Sequence, residues 1–259
     1  MITSASNPLI KKVRALRQRK ARTETGLLLV EGIHHVGEAV EAGWDIETML
    51  YAPDTLTSGF ARGLISRLAT APQPVSAQVM ESLADKENPQ GILAIVRQRQ
   101  TKISDLKPIR CGAAVVSPQD PGNVGAILRT LDAVGADALF LLDGGVDPYH
   151  PTSIRASMGT IFWKPIVQTS FAEFVDWARR GNYQLIGTSS HAANDYRAFT
   201  PNFPFILLLG SEQKGLSLEQ IRACDASVSL PMHGRASSLN LAVAAGILLY
   251  QFANLQSRS

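Results

Sequence analysis

Hydrophobic positions change period along this chain, and each change marks an element. Residues 8–20 carry apolar side chains at helical spacing among basic ones and predict an amphipathic helix. Short apolar runs at 27–30 and 46–51 predict strands, with a helix over 33–42 between them. A helix over about 57–69, a short strand near 74–76, a helix near 77–84 and a strand over 92–97 complete a first segment. The stretch RQRQTKISDLKPIR (97–110) is polar and charged and reads as a linker. Beyond it, 113–117 is continuously apolar, as buried parallel strands usually are. Strands over 138–142, 166–168, 184–188, 205–209 and 227–230 then alternate with helices over 123–135, 152–159, 171–180 and 238–253. That alternation predicts an α/β fold with a parallel sheet covered on both faces. The expected domains are 1–100 and 108–259. In such sheets ligands bind beyond the carboxyl ends of the strands.

Charge sharpens the picture more than composition does. At 45% hydrophobic and 18% charged, the 259 residues can bury an ordinary core. The chain carries 25 basic and 22 acidic side chains. Lys11, Lys12, Arg14, Arg17, Arg19, Lys20 and Arg22 all lie within residues 1–23, where no acid accompanies them, so the remainder is net negative. A local basic segment suits a polyanion. A targeting peptide or a solvated helix face has the same pattern. Cys111 and Cys224 form no CxxC pair, which points to a reducing, cytoplasmic setting. The longest apolar run, 241–250, is too short to span a bilayer, so no membrane contact is expected.

Three loops carry candidate chemistry. The first follows the strand at 113–117 and reads SPQDPGNVGAILR (117–129), with a Pro121–Gly122 turn and Asn123 as a helix cap. Arg129 lies six residues into that helix, off the face of Asn123, with a side chain long enough to reach back. The second is LGSEQKGLS (209–217), whose glycine spacing is close to a phosphate-cradling loop. Leu216 fills the lysine slot of that pattern, and Glu212 would repel phosphate, so a cationic ligand fits better. The third is SLPMHGRASSLN (229–240), in which a serine caps the last helix and Asn240 sits in its first turn. No G-x-G-x-x-G follows any strand, which argues against a nicotinamide dinucleotide site. Histidines and cysteines are scattered, and His233 has no second metal-type neighbour, so no metal is expected.

Together the strings DPGNVGAILRTLDAVGAD (120–137), ILLLGSEQKGLS (206–217) and LPMHGRASSLNLAVAAGILLY (230–250) resemble, in order and spacing, the three motifs of the SpoU/TrmH family of RNA ribose methyltransferases. RASMGTIFWKPI (155–166) is similar to a further family segment. Residues 6–43 resemble the small RNA-binding domain, akin to a ribosomal protein, that many of these enzymes carry. The resemblance implies a C-terminal α/β domain with a deep trefoil knot, a homodimer, and S-adenosylmethionine as cofactor. It implies cofactor contacts at Thr188, Ser189, Gly210, Leu230, Met232, Ser238 and Leu239. It places Asn123, Arg129, Glu212, Ser238 and Asn240 in the catalytic set. The implied substrate is RNA, with ribosomal RNA favoured over transfer RNA by the same resemblance. Lys11, Lys12, Arg14, Arg17, Arg22 and Arg129 are its expected contacts.

The implied reaction is in-line methyl transfer to a ribose 2′-oxygen. Arg129 matches the family residue assigned as general base. An arginine stays protonated, so its better-founded role is to grip phosphate and stabilise charge on the 2′-oxygen. Asn123 is expected to hold Arg129 in place. A catalytically silent RNA-binding protein of the same fold is the alternative, and only turnover separates the two.

Overall fold

In a computed structural model, residues 1–67, 71–84 and 90–253 are described. They form two compact units, Met1–Arg99 with Tyr149–Trp163, and Gln100–Pro148 with Lys164–Ser259. The segment Tyr149–Trp163, expected within the second domain, therefore clusters with the first unit.

The first unit begins with α1 (Pro8–Ala15) and α2 (Arg19–Thr25). One continuous helix was expected over 8–20, and the chain instead breaks at Gln18, whose backbone is extended. The physical reason is Arg22. Its side chain turns inward, 1% exposed, and donates to the carbonyls of Leu16 and Arg17 at 2.8 Å each. Carbonyls at a helix end have no partner inside the helix. A guanidinium supplied from the next helix satisfies them and fixes the corner. Then come β1 (Leu27–Glu31), α3 (Ile33–Glu41), β2 (Ile46–Tyr51), α4 (Gly59–Arg67), β3 (Gln73–Pro74), α5 (Ala77–Leu83) and β4 (Ile92–Arg97). The helix expected over 57–69 is seen as α4, and its last expected residues lie outside the described ones. The strands pair in the order β1-β4-β2-β3, antiparallel except for β2 with β3. Ile10 and Val13 of α1, Val79, Met80 and Leu83 of α5, and Leu27, Leu29, Leu93 and Ile95 of the sheet form one core.

The second unit comprises β5 (Cys111–Val116), α6 (Pro121–Ala133), β6 (Ala138–Leu142), β7 (Ile166–Thr169), α8 (Phe171–Arg180), β8 (Gln184–Thr188), β9 (Asn194–Asp195), β10 (Phe205–Leu209), α9 (Leu218–Ala223), β11 (Ala226–Ser229) and α10 (Leu241–Ala253). Between β6 and β7, α7 (Pro151–Ala156) belongs to the first unit, where the Trp44 indole donates to the Phe162 carbonyl at 2.7 Å. The seven strands are all parallel in the order β7-β6-β5-β10-β8-β11-β9. Phe140, Ile206 and Leu208 pack with Phe174 of α8 in one core cluster. Phe205 points the opposite way and meets the Phe252 ring of α10 at 6.2 Å, so α10 covers the other face.

The expected linker over 97–110 is packed rather than loose. Ile103 and Ile109 are buried in the core of the second unit, and the Ile109 N–H donates to the Tyr183 hydroxyl at 3.0 Å. The polar side chains hide two isoleucines that the composition of the stretch outweighs. Short β9 and α9 were not anticipated as elements, being too brief to show a period. The last helix starts at Leu241, three residues later than expected, leaving 230–240 without regular structure.

Arg22→Ala is expected to lower the stability of the first unit by about 2–4 kcal/mol, because it orphans helix-end carbonyls and opens a buried gap. Hydrogen exchange would show α1 and α2 amides losing protection while β5, β6 and β10 keep theirs. Unchanged protection of α1 would contradict the structural role.

Candidate active site

In the order of this sheet β10 lies beside β5, although β6 and β7 run outward on the opposite side of β5. Such a reversal of direction opens a crevice at the carboxyl ends of the strands. The loops after β5 and β10 therefore rise side by side. At the start of the first, Ser117 takes a positive φ of 44°, which turns the chain sharply out of the strand.

Asp120 caps α6, its side chain accepting from the Gly122 N–H at 2.8 Å. Asn123 was expected in that role and sits instead inside the first turn, 6% exposed. The DPG order explains this: Pro121 occupies the first helical position, where its missing N–H is no loss, and the residue before it becomes the cap. A buried side-chain amide must find partners. Asn123 Nδ2 donates to Glu212 Oε1 at 3.2 Å, and Asn123 Oδ1 accepts from Asn240 Nδ2 at 2.9 Å. Glu212 also accepts from the backbone N–H groups of Gln119 (3.2 Å) and Asp120 (3.3 Å). Asn240, expected in the first turn of α10, is itself the cap: its Oδ1 accepts from Ala242 N (2.9 Å) and Val243 N (3.2 Å). Ser238, expected as the cap, lies earlier in the exposed loop. One chain of hydrogen bonds thus links all three loops. Its backbone donors at 119 and 120 carried no side-chain signal in the sequence.

Glycine is required at 210. A Cβ there would collide with the backbone of Gly215 and Leu216, because the loop folds back through Gly215 N donating to the Ser211 carbonyl at 2.9 Å. Thr188, Gly210 and Leu230 follow directly at the ends of the adjacent strands β8, β10 and β11. Ser189 N donates to the Val228 carbonyl at 3.1 Å, which fixes the turn beyond β8. Met232 is half-buried, whereas Ser238 and Leu239 are exposed in the loop before α10. Beyond β11, hydrogen bonding from the Arg197 guanidinium holds the Asp195 carboxyl down at about 2. Burial pushes the Cys224 thiol up to about 12, which leaves it protonated at neutral pH.

Arg129 is not drawn into this network. It is exposed on α6, and its side chain makes no hydrogen bond or ion pair among the described residues. Both polar ends of the Asn123 amide are engaged elsewhere, so the expectation that Asn123 holds Arg129 fails. Six helical residues also displace Arg129 by about 9 Å along the axis. The expected RNA contacts separate as well. Lys11 and Arg14 are exposed, Arg17 is half-buried, and Lys12 is paired with Glu47. Arg22 is buried within the first unit and is withdrawn as a contact.

Residues 112–250 match the SpoU rRNA Methylase family, and residues 7–94 match the MRM3-like substrate binding domain. The chain is 37% identical over 246 residues to a 23S rRNA (uridine(2479)-2′-O)-methyltransferase of Streptomyces viridochromogenes, covering 91% of this chain and 85% of that one. It is 30% identical to the 23S rRNA (guanosine(2553)-2′-O)-methyltransferase RlmP of Bacillus subtilis, covering 96% and 97%. An AdoMet-bound rRNA methyltransferase from Sinorhizobium meliloti superposes with a TM-score of 0.89 at 34% identity, over 98% of this chain and 97% of that one. With its three motif loops joined through Asn123 and its sheet in the same arrangement, this chain belongs to the SpoU rRNA methylase family.

Proposed function

We propose that this protein transfers a methyl group from S-adenosylmethionine to a ribose 2′-hydroxyl of ribosomal RNA. The observation that carries the reading is the hydrogen-bonded line Asn240–Asn123–Glu212 beside the carboxyl ends of β8, β10 and β11. The relatives are 2′-O-methyltransferases of 23S rRNA, which favours ribosomal over transfer RNA as the substrate class. The residues fit the cofactor. The loop after β10 has no phosphate-type lysine at Leu216, and the tight approach at Gly210 leaves backbone as the lining. S-adenosylmethionine supplies an electrophilic methyl on a sulfonium centre.

The protein's own groups then have three tasks. Backbone at Thr188, Ser189, Gly210, Leu230 and Met232, with Ser238 and Leu239, holds the donor. Glu212 and Asn240, locked through Asn123, keep the loops in register so that acceptor and donor meet in line; positioning of this kind lowers barriers by up to about 7–11 kcal/mol. Arg129 stands at the surface with its fork of donors open to the target phosphate, and it stabilises charge developing on the 2′-oxygen. The silent-binder alternative loses ground because every polar member of the three loops is present and the buried ones are paired.

Two finer features belong to the same reading. The segment 230–253 passes through the loop before it as a deep trefoil knot; the return of α10 onto α6 and β10 after edge-side β11 supports that path. A second copy of the chain covers α10. Val243, Ile247 and Tyr250 are 51%, 37% and 52% exposed at helical spacing, while Leu241, Ala245, Leu248 and Phe252 face inward. A helix apolar on all sides belongs in an interior.

Arg129→Ala is expected to reduce methyl incorporation into rRNA by about 10²–10³-fold with calorimetric S-adenosylmethionine binding nearly unchanged. Wild-type turnover in this variant would remove Arg129 from the mechanism. The double variant Val243→Asp/Ile247→Asp is expected to halve the mass seen by light scattering; a wild-type protein already monomeric at micromolar concentration would refute the dimer. Replacing Lys11 and Arg14 by Gln is expected to flatten the dependence of RNA affinity on salt, by roughly 0.7–0.9 in slope per lost phosphate contact. Replacing Lys12, which Glu47 already engages, is expected to change the slope less.

A further inference from the structure

We propose that the cleft between the loops after β5 and β10 grips a phosphodiester of the substrate RNA next to the target nucleotide, with Lys214 as its cation. The inference rests on the RNA-methylating role above and adds a second phosphate contact to the one assigned to Arg129. The cleft has a volume of about 520 Å³. Val116 and Gln119 line it from the first loop, and Ser211, Lys214, Gly215 and Ser217 from the second. All of them belong to the second unit.

The donors of this cleft are uncommitted. Among the described residues, the Lys214 ammonium and the Gln119 side-chain amide make no hydrogen bond or ion pair, and both residues are exposed. Two hydroxyls also keep a proton to give. Ser211 Oγ accepts from the Lys214 N–H at 3.3 Å, and Ser217 Oγ accepts from the Gln220 N–H at 3.2 Å, so neither contact uses the serine's own O–H. Among the described residues, no acid lines the cleft. Glu212 belongs to the same loop, but its carboxylate accepts from the Gln119 and Asp120 amides and from Asn123, and those donors meet its charge. One cation and several neutral donors without a carboxylate suit an oxyanion.

The backbone beneath Lys214 is fixed. The Gly215 N–H closes a turn on the Ser211 carbonyl at 2.9 Å, Gly215 takes a φ of 66°, and Leu216 is buried in the core of the unit. A phosphate-cradling loop carries its lysine just after the second glycine, where Leu216 stands; here the lysine comes just before that glycine. Gln119 ties the cleft to the proposed chemistry. Its side chain lines the cleft, while its backbone N–H donates to Glu212, the end of the Asn240–Asn123–Glu212 line. RNA laid along that line brings a phosphate with every nucleotide, and a phosphate contact sets register without reading sequence. An ammonium is a compact charge with three rotatable donors, which suits a phosphodiester whose orientation is set by its neighbours. The carboxylate of the methyl donor is the other anion near these loops, and binding measurements separate the two.

The test uses the full-length protein, an unmodified 23S rRNA transcript and labelled S-adenosylmethionine, with methylation followed at several salt concentrations. Lys214→Gln is expected to raise KM for the RNA roughly tenfold with kcat at saturating RNA unchanged, and to lower the salt slope of kcat/KM by about 0.7–0.9. Calorimetric S-adenosylmethionine affinity and the urea midpoint are expected to stay at wild-type values. Lys214→Arg is expected to restore most of the affinity. Arg222→Gln removes an equal charge from exposed α9 outside the cleft and is expected to leave KM near wild type. Unchanged KM and slope in Lys214→Gln overturn the proposal. An equal loss in Arg222→Gln also overturns it, because the effect is then one of general charge. Weakened S-adenosylmethionine binding in Lys214→Gln overturns it in favour of the donor's carboxylate. Wild-type turnover separates the failures. If the wild type methylates the transcript and Lys214→Gln does so equally well, only the cleft assignment falls. If the wild type neither binds nor methylates rRNA, the functional reading falls and the cleft assignment with it.

Discussion

A buried amide cannot be left half satisfied, and that constraint at Asn123 organises the second unit. The side chain is enclosed in the first turn of α6, where an unmet donor or acceptor costs on the order of 1–3 kcal/mol. Its two ends want opposite partners. The structure gives the donor to Glu212, which arrives after β10, and the acceptor to Asn240, which arrives after β11. Three segments distant in sequence must therefore reach one point together. Glu212 is further tied to the Gln119 and Asp120 amides, so the loop after β10 is anchored on the loop after β5. Removing either partner leaves one end of the buried Asn123 amide unmet, so the network behaves as a unit.

The sheet was legible in the sequence because its strands are unmixed apolar runs. Phe205–Leu209 and Ala138–Leu142 are buried at every position, and a strand buried on both faces shows as an unbroken run. The three chemical loops were legible by resemblance, and their physical reading alone stopped at capped helices. Where that reading went astray, a local rule had two candidates. Asp120 and Asn123 both suit a cap, and Pro121 decides between them; Ser238 and Asn240 both suit the next one, and the pull of Asn123 on Asn240 decides. The second choice is tertiary, so no local pattern could contain it.

Arg22 is the opposite case, a residue whose charge misled. A basic side chain among six others reads as part of a polyanion-binding face. It points inward because the end of α1 leaves carbonyls that need donors, and only a long planar cation from α2 reaches two of them. The segment thus has two kinds of cation, structural and exposed, which composition adds together and geometry separates. Likewise the stretch 97–110 looks like a linker by polarity, although Ile103 and Ile109 carry it into the core.

Arg129, which the proposed function assigns to catalysis, stands apart from the three-loop network. An arginine already bound to Glu212 would be neutralised by it and would meet a phosphate with half its donors engaged. Glu212 is instead occupied by three N–H donors from Asn123, Gln119 and Asp120. The carboxylate orders the loops without trapping the cation. The guanidinium consequently keeps its full set of donors for a ligand that arrives with the substrate. The same arrangement separates binding from chemistry. Loop order is set by buried and backbone groups, and Arg129, the RNA contact of the proposed function, stands on a helix face that does not depend on it.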